Sequence, residues 1–150
     1  MNALSLSSMG RLADFAPLFA RVIVGVIMTA HGWQKLVGGP GAFGESTLAA
    51  LGVPLPVLMG FVVTLVELVG GIFLIVGLLS RLSALLLTVN LVVATLLVKV
   101  DLGLIAAEGA GAELDLALIA GLVVVLLAGP GKLALDRVLG LDPFNERERR

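Results

Sequence analysis

Residues 56–98 read PVLMGFVVTLVELVGGIFLIVGLLSRLSALLLTVNLVVATLLV, and this run decides the fold. Its only charged residues are Glu67 and Arg81. A helix needs about 20 apolar residues to cross a bilayer, with a range of roughly 17–25. The run is therefore long enough for two crossings, residues 56–79 and 82–98, joined by a turn at Ser80 and Arg81. Each helix satisfies its own backbone, as hydrocarbon demands, so the pair forms a tight antiparallel hairpin. Glu67 is the only charge in the first helix, and the second has none.

Two flanking segments extend the pattern. Residues 15–32 form a span interrupted by Arg21, and residues 114–128 form a shorter one with Asp115 at its edge. Arg21 breaks what would be the apolar stretch of a secretion signal, and three hydrophobic segments follow, so residues 15–32 read as a retained helix. Composition agrees: the chain is 59% hydrophobic and 14% charged, with a mean hydropathy of +1.12. Ordinary globular chains are nearer about 45–50% apolar and about 25% charged. The expected fold is all-α: residues 1–150 as one integral membrane four-helix bundle, multi-pass and surrounded by lipid.

The connections carry two short interfacial helices. After Gly38-Gly39-Pro40-Gly41, the residues Phe43, Leu48 and Leu51 make an apolar stripe that Gly52 and Pro54 stop. Gly129-Pro130-Gly131 breaks the fourth span. Leu133, Leu135, Val138 and Leu139 then suggest a second short helix before a charged tail over residues 137–150. Trp33, beyond the first span, suits the aromatic belt at a membrane surface.

Lys and Arg collect on cytoplasmic flanks. One side holds Arg11, Arg21, Arg81, Lys132, Arg137, Arg147, Arg149 and Arg150, the other only Lys35 and Lys99 beside Glu45, Asp101, Glu108 and Glu113. That asymmetry predicts both termini in the cytoplasm and the two longer loops outside. Arg81 reads as an anchor of that kind.

Several function classes are excluded or weakened. A net charge of −1 gives no field for nucleic acid. The chain has no cysteine, which removes disulfide and thiol chemistry from its own repertoire, and its single His argues against a metal site. No residue pattern names a catalytic group.

The polar residues within the spans are the candidates for function. An ionisable group at a helix centre costs at least about 2.5–3.5 kcal/mol, so each needs a partner or a purpose. Gly60, Thr64 and Gly71 share a face with Glu67, and small residues mark where helices approach closely. Glu67 should thus point into the bundle. On the first helix Arg21, Gly25, Met28 and Lys35 fall within an arc of about 80°, with His31 about 40° further round. His31 and Glu67 come out at nearly the same depth, about 22 and 18 Å from the inner boundary. In the third span Asn90 shares a face with Ser83 and Ala94.

These positions predict a buried cluster of Arg21, His31, Glu67 and Asn90 with Lys35 at its outer mouth. A neutral Glu67–His31 hydrogen bond and an ionised Glu67–Arg21 pair are competing versions of it. A purely structural polar seam, with bonds worth near 0.6 kcal/mol on average, stands beside a ligand or proton-relay site. Glu113 and Asp115 read as favouring the dipole of the fourth helix, and Asp136 as a cap or a partner of Lys132.

The order and spacing of these residues resemble the DoxX family of small bacterial membrane proteins. Arg21 precedes His31-Gly32 and Lys35, then Gly52-Val53-Pro54. Glu67 is followed by Gly70-Gly71, Gly77 leads to Arg81, and the match closes with Gly129-Pro130-Gly131 and Leu135-Asp136. The family is related to the DoxD subunits of thiosulfate:quinone oxidoreductases. The resemblance implies a bacterial inner-membrane location and a role beside an oxidoreductase, with Arg21, His31, Lys35, Glu67, Arg81 and Asp136 matching the family's motifs. Any sulfur redox chemistry would need thiols from a partner.

Three functions follow as expectations. The first is a membrane subunit or anchor of a redox system that contacts quinone through the buried cluster, with a redox partner protein and no covalently bound cofactor. The second is a non-enzymatic scaffold or assembly factor that recruits partners. The third is a small transporter, which the lack of broken helices or an inverted repeat disfavours unless the chain forms a homo-oligomer.

Overall fold

A computed structural model describes residues 15–100, 103–106, 109 and 111–141. The expectations for Arg11, Asp101, Glu108, Arg147, Arg149 and Arg150, and for the tail beyond residue 141, lie outside the described residues. The described chain is helical and contains no strand. In chain order the elements are α1 (Ala16–Gly38), α2 (Pro40–Phe43), α3 (Pro56–Val76), α4 (Ser80–Ala94), α5 (Ala112–Ala128) and α6 (Leu135–Val138). Two wider π-helical stretches extend this set: Gly44–Leu48 continues α2, and Thr95–Lys99 continues α4. We call α2 with its extension the strap.

Among the described residues, three helices are long and apolar enough to cross a membrane: α1, α3, and α4 with its extension. α5 has 17 residues, the lower edge of the crossing range. α3 packs between α1 and α4, and α5 leans on both α1 and α4. Val24, Met28, Leu74, Leu87, Leu118 and Leu122 fill the centre. Many leucines and valines point outward instead, as on Leu82, Leu85, Val89 and Leu96 along α4, which suits a surface wetted by lipid.

α1 and α3 meet backbone to backbone. A Cβ added to Gly25 would stand 2.8 Å from the carbonyl oxygen of Gly71, and one on Gly32 would stand 2.7 Å from the Leu68 Cα. Small residues at such a contact let helices associate without a hydrophobic drive between them. The strap is fixed to α3 in the same way, since a Cβ on Gly44 would lie 2.8 Å from the Val57 Cα, and one on Gly60 would lie 3.1 Å from the Gly44 Cα.

Boundaries differ from the sequence reading in two places. α1 runs on to Gly38, so Lys35 lies inside the helix rather than beyond its end. The hairpin turn occupies residues 77–79, which places Ser80 and Arg81 in the first turn of α4. Gly77, at φ +74°, ends α3: its amide donates to Leu74 O at 3.2 Å, and the Leu78 amide donates to Phe73 O at 2.9 Å. This paired closure favours a left-handed glycine, and it stops α3 before Ser80. Both short helices appear in the expected connections.

Candidate functional site

The expected cluster divides into two groups along α3: one at mid-helix below the strap, which we call the strap end, and one at the turn. At the strap end, Glu67 is 5% exposed and both of its carboxylate oxygens are engaged. Lys35 of α1 donates to Oε2 at 2.5 Å, and the Asn90 amide of α4 donates to Oε1 at 3.1 Å. One carboxylate thus ties together three helices. Thr64, on the same face, satisfies its own hydroxyl on Gly60 O at 2.7 Å and makes no demand on Glu67.

This group opens onto a cavity of about 280 Å³. Its walls are apolar, with Leu48 and Leu51 from the strap region, Met59 and Val63 from α3, and Val93 and Leu97 from α4. Both π-helical stretches contribute, one through Thr47 and Leu48, the other through Leu97 and Val98. Interruptions of this kind are frequent at functional sites. The Phe43 ring lies 5.4 Å from Lys35 Nζ, within cation–π range.

At the turn end Arg21, 1% exposed, is engaged with backbone. Its Nη1 donates to Leu74 O at 2.8 Å and Ile75 O at 2.7 Å, and its Nη2 to Leu133 O at 2.8 Å. Asp136 works from the other side, accepting from the Leu79 amide at 2.6 Å and the Ser80 amide at 2.8 Å. Those are orphan donors at the start of α4, so Asp136 caps a helix remote in sequence. Its own amide donates to Gly77 O at 2.8 Å. Leu79 and Leu133 both adopt positive φ, 46° and 60°, an uncommon state for a branched side chain. Each gives a backbone group to Arg21 or Asp136, which hold that strain in place. Arg81 donates to Leu126 O, binding α4 to α5.

Two members of the expected cluster therefore do not reach Glu67. Arg21 lies roughly 17 Å along α1 from the level of Glu67, because the Gly25 and Gly32 contacts fix the register of α1 on α3. His31 sits in a shallow groove on the outward side of α1 with Val26, Ile27, Ala30 and Gln34. The buried residues of α1 centre near Met28 and Arg21, and His31 is about 70° from that centre while Lys35 is about 30° from it. The longer side chain on the better-placed residue takes the carboxylate. Asp136 was expected to cap or to pair with Lys132; the cap is real, but the helix it caps is α4.

One polar group was missed. Asp115, 5% exposed, accepts from Lys99 Nζ at 2.8 Å and from the Thr95 hydroxyl at 2.9 Å. Lys99 also donates to Gly111 O at 3.0 Å. This second ion pair joins the extension of α4 to the start of α5. Thr95 and Lys99 sit four residues apart at the end of the charge-free stretch, which was the signal available. No group of three metal-ligating side chains occurs among the described residues.

The sequence model of the DoxX family matches residues 16–100, which include every helix that contributes to the Glu67 group. The chain belongs to the DoxX family. A Bacillus subtilis relative named "Putative oxidoreductase CatD" is 31% identical over 91% of this chain and 91% of its own. An uncharacterized membrane protein of Mycobacterium tuberculosis is 31% identical over 79% of this chain and 78% of its own. The Escherichia coli inner membrane protein YqjF is 28% identical over 87% and 97% respectively. No solved structure matches the chain. This DoxX chain is therefore a membrane protein, and its apolar outer surface suits contact with lipid.

Proposed function

We propose that this DoxX protein is the membrane subunit or anchor of an oxidoreductase system, and that the cavity at Lys35, Glu67 and Asn90 receives the head of a quinone. The supporting observation is a compact set of polar groups from three helices at one wall of an otherwise apolar cavity, the arrangement that small-molecule sites favour. The Lys35 ammonium and the Asn90 amide are donors suited to a quinone's carbonyl oxygens. Glu67 holds both donors in place and offers a carboxylate to a hydroxyl. A bound quinone would supply two-electron, two-proton chemistry; any thiol donating those electrons would belong to a partner protein, since the chain has no cysteine of its own. The name of the Bacillus subtilis relative also supports the redox reading.

The proposal includes a four-helix bundle with the strap outside and both termini in a bacterial cytoplasm. α5 is about 26 Å long at 1.5 Å per residue, enough for a thin crossing, and the Lys/Arg bias sets the orientation. Because the chain lacks cysteine, single substitutions report sidedness directly. Ser46→Cys and Ile105→Cys should react with a membrane-impermeant maleimide on intact spheroplasts, and Leu139→Cys only after lysis. Equal reactivity of Ile105→Cys and Leu139→Cys on intact cells would mean that α5 does not cross.

The site itself is tested with a photoreactive quinone analogue in lipid nanodiscs, with labelled peptides mapped by mass spectrometry. Saturable labelling of the strap and of α4 near Asn90, competed by unlabelled quinone and weakened in Glu67→Gln, is the expected result. Trp33 fluorescence is a poor substitute, because Trp33 is 59% exposed on the far side of α1 from the cavity. Uncompeted labelling spread over lipid-facing residues, alike in the variant, would turn the reading toward a scaffold whose polar group is structural.

A further inference from the structure

We propose that the seam between α3 and α4, from Asn90 toward the turn end, seats the tail of the same ligand, whose first isoprene units lie along it. This rests on the quinone reading above and assigns a second part of the site. An apolar groove of about 300 Å³ occupies this seam, lined by Leu65, Val69 and Phe73 of α3 and by Leu82 and Leu86 of α4, with Ser83 its one polar residue. On α4, Leu82, Leu86, Asn90, Val93 and Leu97 fall within about 80° of one another. The first two line the groove and the last three line the Glu67 cavity. Groove and cavity are thus consecutive lengths of one face of α4, and both are closed by α3.

Size and chemistry favour one amphiphile spanning the two. Ligand sites run from roughly 300 to 1,000 Å³, so each part alone is at the bottom of the range while the pair suits a ring with a chain attached. The polar atoms cluster at the strap end, and apart from Ser83 the groove offers a chain only hydrocarbon over about 12 Å of α4 between Asn90 and Leu82. Lipid tails are as apolar as leucine, so the groove gains no affinity by drawing a tail out of lipid. Its role is steric: it gives the tail a path that lets the ring reach Lys35 and Asn90. Blocking that path should therefore penalise tailed ligands and spare tail-less ones.

Leu86→Trp tests this from α4, one turn from Asn90, at a residue 46% exposed and so able to carry a larger ring without unfolding the core. Val69→Phe tests it from the facing helix. A photoreactive tail-less benzoquinone in nanodiscs serves as probe, with unlabelled competitors that share one ring and carry either no tail or a two-isoprene tail. In each variant the tailed competitor should need about tenfold more to halve labelling, the scale of an overpacked contact, while the tail-less one changes less than about twofold. Equal weakening of both competitors, or of neither, would overturn the tail groove and leave an annular lipid chain as its occupant. Failure of the tail-less probe to label wild type, or labelling unchanged in Glu67→Gln, would instead fell the ring site and the groove with it.

Discussion

The two ends of α3 use buried charge in different ways. At the turn end Arg21 and Asp136 hydrogen-bond to main-chain carbonyls and amides, including the groups of two left-handed leucines. At the strap end Lys35, Glu67 and Asn90 bond to one another beside a cavity. Main-chain partners cannot swing away, so the first arrangement defines the fold. Side-chain partners can trade one contact for another, so the second can exchange with a ligand. Motif membership alone would have grouped Arg21 with Glu67; their partners separate them.

That contrast makes ordered predictions about stability. The largest effect belongs to Arg21→Met, which leaves Leu74 O with the Gly77 amide but strips the donor from Ile75 O and Leu133 O, and should cost about 3 kcal/mol at about 1–3 kcal/mol per abandoned group. Reversible unfolding in mixed micelles measures it, and a loss below about 1 kcal/mol would erase the distinction between the two ends. Asp136→Ala comes next, at about 2 kcal/mol for a lost cap, with Asp136→Asn recovering part of it through its remaining acceptor. Glu67→Gln should come last, within about 1 kcal/mol of wild type, because polar contacts between membrane helices average near 0.6 kcal/mol. A Glu67→Gln protein as unstable as Arg21→Met would make the strap-end group a structural tie like its counterpart.

Much of this architecture was legible in the sequence, and the gaps have a common cause. The helical segments follow from apolar length, and the inward aim of Glu67 from the small residues on its face. Asn90 was placed correctly as its neighbour because depth along a helix is readable from residue count. Arg21 and His31 were misplaced because a helical wheel gives relative angles within α1 but not its rotation or register against α3. Those were set by Gly25 and Gly32 meeting the backbone of α3, a contact between two segments far apart in the chain. The reach of Asp136 back to Leu79 was hidden for the same reason.

The glycine contacts also divide the cavity's walls by their freedom to move. α1 and the strap are each clamped to α3 with main chain against main chain, leaving no soft layer in which to slide. Toward α4 the glycine contact is different: the atoms nearest a Cβ on Gly70 belong to the Leu87 side chain, from 3.3 Å, and side chains can change rotamer. Three sides of the chamber are therefore a rigid frame, while α4 is pinned near its ends by the Asp136 cap and the Lys99–Asp115 pair and meets α3 between them through side chains. A guest coming in sideways from the bilayer would meet its most yielding wall at the middle of α4, where only side chains stand in the way.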